Sequence, residues 1–274
     1  MLYLVFATVF TQFYKITTKT LTKAGALTVL LEFMAGIIIL MLCPFFEMKF
    51  PTDISVYISL GLAIVFYAIT DRLNTTVRKE IEASTFSILK QISTVFMIVA
   101  GIIFFKEPFL WNKIIGAILI IFSNILIFYK KGKFKFDKYV LLGVLSNLSF
   151  SIAMFLDVSI SENFNLPIYV AITLIVPAIL IFIFDRIKFS EIKTELKNGN
   201  KEAMIITSIT WGLSIFSQLR AYQLGNVTTI APLCALTVIL NVLVGYVFLK
   251  EKDNLLKKIV AAIFVIISVI LIKM

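Results

Sequence analysis

The chain reads as a succession of long apolar runs separated by short polar connections. Ten of these runs approach the roughly 20 mainly apolar residues that a bilayer-crossing helix requires. They are Leu2–Thr18, Ala24–Phe46, Val56–Arg78, Ala83–Phe105, Trp111–Tyr129, Tyr139–Asp157, Leu166–Phe184, Met204–Leu224, Thr228–Leu249 and Leu255–Ile272. The connections are too short for a folded domain outside the bilayer. The longest polar stretch, Asp185 to Glu202, predicts one loop carrying a short surface helix.

Polar residues inside the runs are not scattered. Side chains three and four positions apart share a helix face, and stripes of this kind recur. The first run has Thr8, Thr11, Gln12 and Lys15, the third Asp71, Asn74, Thr75 and Arg78, and the fourth Ser87, Lys90, Gln91 and Thr94. The sixth has Ser146, Asn147, Ser151 and Asp157, the eighth Thr210, Ser214, Ser217 and Gln218, and the ninth Thr237 and Asn241. These stripes predict a polar path between helices. Runs five and ten show almost nothing comparable, so they are expected to face lipid or a second protomer.

One phrase is written twice: FFKEP at Phe104–Pro108 and FLKEK at Phe248–Lys252. Laying Glu251 on Glu107 also lays Gly245 on Gly101 and the Thr228-Thr229 pair on Ser84-Thr85. The chain therefore divides into halves of five runs, 1–132 and 133–274. An odd number of crossings makes the second half enter the membrane from the side opposite to the first, so the halves form an inverted repeat. Inverted halves share a site near the midplane and can present it to either face in turn, which is alternating access.

Composition supports a place in lipid. Of 274 residues, 60% are apolar and only 15% charged, more hydrophobic material than a soluble core of this size hides. The first run begins at Met1 without a basic segment or a small-residue cleavage signal, and is read as a retained helix rather than a signal peptide. Histidine is absent, which removes imidazole-based metal sites and acid–base chemistry, and no cofactor is expected. Cys43 and Cys234 fall within runs, where they serve as small apolar residues.

The net charge of +10 sits mainly in connections beside apolar runs, where lipid headgroups rather than nucleic acid account for it. Connections after odd-numbered runs carry most of the lysine and arginine, including Lys130, Lys131, Lys133, Lys135, Lys138 and the stretch Arg186 to Lys201. The positive-inside rule makes that side cytoplasmic and puts both termini outside. Trp111, Tyr129 and Tyr139 stand at run ends as interfacial anchors.

Charges inside runs cost on the order of 2.5–3.5 kcal/mol each on insertion scales, so they are expected to turn inward and find partners. Lys90 is the candidate for binding an anionic group of a solute, with Ser87, Gln91 and Thr94 on the same stripe; the alternative is a structural ion pair with Asp71 or Glu32. Gln12, Lys15, Asn147, Gln218 and Asn241 complete the candidate substrate-binding set. Glu32 and Asp71 are the candidate coupling residues, since a carboxyl withdrawn from water can exchange a proton as its surroundings change. The third run alternatively ends near Thr70, leaving Asp71, Arg72, Arg78 and Lys79 solvated. Arg220 can snorkel to the interface.

With the two Lys-Glu phrases and YQLGNVTTIAP at Tyr222–Pro232, the chain resembles EamA-type members of the drug/metabolite transporter superfamily over nearly its whole length. The phrases look like that family's turn between the fourth and fifth helix of each repeat, and the Tyr222 stretch like its eighth-to-ninth helix junction. The resemblance implies a ten-helix carrier exporting metabolites or drugs, with both termini inside, opposite to the charge count. The stretch TDRLNTTVRKEIEAS from Thr70 to Ser84 departs from the pattern, because the family usually ends its third helix without charge.

The expectation is an all-α, multi-pass protein of the cell (inner) membrane, ten transmembrane helices as two inverted five-helix repeats, monomeric or homodimeric. It would be no enzyme but a secondary-active exporter of small polar or amphoteric metabolites such as amino acids, with protons as the candidate coupling ion. Two alternatives come from other classes. A membrane-embedded enzyme acting on a lipid phosphate or prenyl group would need clustered carboxylates for magnesium or an activated nucleophile, and no D-x-x-x-D or repeated E-x-x-x-E set lies in the runs. A non-transporting partner subunit is the other.

Overall fold

A computed structural model describes residues 1–130, 133–134 and 138–273. The expected boundary between halves at 132/133 and the basic residues Lys131 and Lys135 therefore involve positions outside the described residues. The chain is almost wholly helical. The first half runs α1 (Leu2–Thr17), α2 (Ala24–Leu40), α3 (Ile54–Glu80), α4 (Ala83–Leu89), α5 (Gln91–Ile103) and α6 (Trp111–Phe128). The second runs α7 (Lys138–Ile160), α8 (Leu166–Phe184), α9 (Phe189–Asn198), α10 (Lys201–Gln223), α11 (Val227–Ala235), α12 (Thr237–Phe248) and α13 (Leu255–Lys273). A two-residue pairing of β1 (Tyr129–Lys130) with β2 (Lys133–Phe134) stands between the halves.

Among the described residues, seven helical stretches are long and apolar enough to cross a membrane, counting α4 with α5 and α11 with α12 as single stretches. The remaining three apolar runs fall on α1, α6 and α10, which are helical but shorter or more polar. The ten-run reading thus exceeds what length and composition alone support. The polar stretch after α8 forms the surface helix α9, which packs toward α2 and α8 through its Ile192, beside Ile187 of the preceding connection.

The connections sort onto two faces. On one, Lys23 before α2 pairs with Glu191 of α9 at 2.7 Å, Arg72 of α3 with Asp185 after α8, and Lys258 of α13 with Glu82 before α4 at 2.6 Å. On the other, Asn165 donates to the carbonyls of Phe46 and Glu47, and Glu107 receives the first N–H groups of α11. Basic residues crowd the first face.

Helix starts explain how the halves are joined. Any helix leaves its first N–H groups without partners, and in hydrocarbon no water supplies them. Where the chain provides a local acceptor it is used: Asp53 caps α3, Asn165 caps α8 behind Pro167, and Asn200 caps α10. The residues preceding α2, α4 and α11 make no capping bond of their own. Glutamates distant in sequence cap these three helices. Glu195 of α9 accepts from the N–H groups of Thr22 and Lys23, Glu251 from Ala83 and Ser84, and Glu107 from Val227 and Thr228.

The repeated Lys-Glu phrase builds two of these caps. Lys106 and Lys250 both adopt left-handed backbone, with φ of 54° and 56°. That turn lets the N–H of Glu107 reach the carbonyl of Gly101, and the N–H of Glu251 that of Gly245, both at 3.1 Å. A Cβ on Gly101 would stand 2.7 Å from Thr228 Cγ2, and one on Gly245 2.9 Å from a Glu251 carboxylate oxygen. Glycine is what allows these approaches.

The fourth run, α4 with α5, packs antiparallel on the ninth, α11 with α12: α4 meets α12 and α5 meets α11. Elsewhere α3 packs on α7, α1 on α10, α2 on α8 and α6 on α13, so each main pairing joins one half to the other. The largest buried cluster joins Tyr14 of α1, Leu27 and Leu31 of α2, Tyr169 of α8 and Trp211 of α10. Helices α6 and α13 pair through Ser268 Oγ to the Gly116 carbonyl at 2.8 Å and turn Ile115, Ile118, Ile263 and Ile267 outward.

Candidate functional site

Two interruptions face each other where the halves meet. Helix α4 stops at Leu89 and α5 starts at Gln91, with Lys90 in the break; α11 stops at Ala235 and α12 starts at Thr237. Pro232, which has no N–H to return to the helix ladder, stands four residues before the second break. Hydroxyls satisfy carbonyls freed nearby: Ser93 donates to Lys90 at 2.7 Å and Thr237 to Cys234 at 2.9 Å.

Two narrow cavities meet at Lys90, Phe150 and Gln218. The first adds Tyr3, Gln91, Thr94 and Thr237; the second adds Asp71, Asn74, Arg78, Asn147 and Trp211. Their free volumes are about 20 and about 40 Å³, space for only a few waters, so a metabolite requires these walls to move.

Lys90 is half-buried. Its ammonium lies 4.9 Å from the centre of the Phe150 ring and donates to the Tyr3 hydroxyl at 3.4 Å. It forms no ion pair within 4.0 Å with Asp71 or Glu32.

The expected site residues separate into groups. Lys90, Gln91, Thr94, Asn147, Gln218 and Asp71 share the cavity walls. Ser87, Gln12 and Asn241 form a buried bridge between α4, α1 and α12: Gln12 donates to Asn241, and Asn241 donates to Ser87, each at 2.9 Å. Gln91 bonds along its own run, donating back across the break to the Ser87 carbonyl of α4 and accepting from Thr94 of α5. Lys15 lies apart from the cavities. Its ammonium donates to the carbonyls of Arg78, Lys79 and Ile81, each at 2.7 Å, and so closes the C-terminal end of α3.

Helix α3 does not end near Thr70. It continues to Glu80 and buries Asp71 and Arg78. Glu32 is fully buried with its carboxyl against that of Asp71, close enough for the two to share a proton, and no N–H or hydroxyl group donates to either Glu32 oxygen. Asp157, also fully buried, accepts from the hydroxyls of Tyr67 at 2.6 Å and Tyr169 at 2.7 Å.

Sequence reading left Arg78 out of the binding set, although the third-run stripe carries it one turn beyond Asn74 and Thr75. Glu107 and Glu251 were legible only as a repeated phrase. Their capping role became visible only once the partner helices were in place.

The EamA-like transporter family model matches residues 1–129 and again residues 137–274. A solved crystal structure, described only as that of a protein, superposes with a TM-score of 0.61 over 99% of this chain and 98% of its own. The two are 12% identical, so that likeness bears on the fold alone. No curated protein is matched by the sequence.

Proposed function

The chain belongs to the EamA-like transporter family, matched in both of its halves, and from that premise we propose a secondary-active carrier that works by alternating access. Its ten helices would form two inverted five-helix repeats in the cell (inner) membrane, moving a small polar or amphoteric metabolite, such as an amino acid, outward. The observation that carries this reading is Lys90. It stands without an ion pair among the described residues at the break between α4 and α5, on the wall shared by both polar cavities.

Several features support the proposal. Broken helices at membrane depth occur where backbone lines a cavity, and inverted halves place such breaks together. The polar side chains facing Lys90 come from α5, α7 and α10, so motion of one half against the other would alter the site. Glu32 and Asp71 form a buried carboxyl pair beside the cavity and are the proposed site for a coupling proton.

Proteoliposomes holding the purified protein test the reading. Counterflow of an unmodified amino acid, amine, nucleoside or sugar supports a carrier. A chemically altered product points instead to a membrane-embedded enzyme, and an inert protein to a partner subunit.

A further inference from the structure

We propose that Arg78 binds the anionic group of the solute, a carboxylate, so that the carrier selects organic acids and acidic amino acids over amines and uncharged sugars. This rests on the carrier reading above and specifies its substrate class. Arg78 is only 4% exposed, yet it lines the second cavity. Its guanidinium lies among three rings, with its carbon 5.1 Å from the centre of Phe10, 5.0 Å from Tyr14 and 4.0 Å from Phe86. Rings stabilise a cation without neutralising it.

Nε and Nη1 are both buried without an acceptor. Buried donors are paired in the great majority of cases, and leaving one unmet is destabilising. Lys15 takes the Arg78 backbone carbonyl, so the helix end is satisfied while the side chain is not. The unmet need belongs to the guanidinium.

Charge around the cavities points the same way. Arg78 and Lys90 lie within electrostatic range of each other, and among the described residues neither joins an ion pair. Asp71 is the acidic side chain on the described cavity walls. On the walls themselves two cations face one acid, with Glu32 behind Asp71. A guanidinium offers planar paired donors that suit a carboxylate, and Lys90 supplies a second positive charge across the cavity.

The test uses the purified full-length protein in thermal unfolding with matched probes: glutamate against glutamine, benzoate against benzamide, and inorganic phosphate. A carboxylate probe is expected to raise the unfolding temperature by about 2–4 °C at saturation while its amide does not. Arg78→Leu should abolish that rise, and Arg78→Lys should weaken binding by about tenfold. Without a probe, Arg78→Leu should unfold no lower than wild type, because it deletes a buried cation whose donors are unmet.

A clear fall in the unliganded Arg78→Leu protein would make Arg78 a packing cation and overturn the proposal. Equal stabilisation of Arg78→Leu and wild type by a carboxylate would do the same, as would a response to phosphate alone or to no probe. Counterflow separates this inference from the reading beneath it. A carboxylate bound through Arg78 but never moved would overturn the carrier reading alone, whereas a solute moved equally well by Arg78→Leu would overturn the inference alone.

Discussion

Glu107 and Glu251 stand at equivalent points of the two halves, and each carboxylate caps a helix belonging to the other half. Glu107 accepts from Val227 and Thr228 at 2.7 and 3.0 Å, and from the Thr228 hydroxyl. Glu251 accepts from Ala83 and Ser84 at 2.6 and 3.0 Å, and from the Ser84 hydroxyl. Both satisfy helix N-termini with a charge of the sign the helix dipole favours. Glu107→Gln and Glu251→Gln should each destabilise by about 1.5–3 kcal/mol, the range for bonds to a charged group. Thermal unfolding should show the two variants falling by similar amounts; a silent Glu251→Gln would disprove the reciprocal arrangement.

Lys90 tests the location of the solute site. Lys90→Ala should reduce solute binding by about tenfold or more, as loss of a charge-assisted contact implies. Lys90→Arg should recover part of it. A ligand that raises the unfolding temperature of wild type and Lys90→Ala equally would remove Lys90 from the site.

Glu32 and Asp71 test the coupling. Glu32→Gln and Asp71→Asn should retain exchange of solute across the membrane while losing uptake driven by a pH gradient. The comparison is made in the same vesicles with and without the gradient. Gradient-driven flux persisting in both variants would place coupling elsewhere, with Asp157 the next buried acid to examine.

Surface helix α9 carries a pH dependence. Hydrogen bonds from the Lys23 side chain, at 2.7 and 2.8 Å, and from the Lys188 backbone hold the Glu191 carboxyl below its ordinary value near 4.5. A carboxyl lowered in the folded state contributes fully above that ordinary value, and the contribution fades as pH falls through the lower folded one. The protection of α9 amides, taken relative to their intrinsic exchange rate at each pH, should therefore fall as pH drops below about 4.5. Glu191→Gln should show that lowered protection already at neutral pH.

Orientation is testable on exposed positions. If positive charge sets the topology, a cysteine at Asp53 in a background lacking Cys43 and Cys234 should react with an impermeant reagent in intact cells. A cysteine at Lys193 should not. The reverse pattern would put both termini inside.

Much of the architecture was legible because lipid imposes simple patterns. Apolar runs gave the helices, and the repeated Lys-Glu phrase aligned the fourth and ninth runs, which do pack antiparallel. Stripes of polar residues foretold which helices line the cavities: Lys90, Asn147 and Gln218 arrive there from α4/α5, α7 and α10. Lys15 shows the limit of that signal. It shares a stripe with Gln12, but a long side chain at a helix end reached backbone carbonyls instead of the cavity. Arg78 shows the opposite limit. Charge near a run's end suggests solvent, and only the packing of α1 and α4 around α3 shows it enclosed by rings. The three long-range glutamate caps had no periodicity to announce them.

The exchanged caps make the two halves mutual chaperones. A fragment ending with α6 would carry Glu107 but leave α4 with bare amides, and a fragment starting at α7 would carry Glu251 but leave α11 equally exposed. Neither should persist alone in a bilayer, while the two produced together should find each other and rebuild an intact carrier. An ancestor with a single half would have met the same requirement by pairing with an upside-down copy of itself.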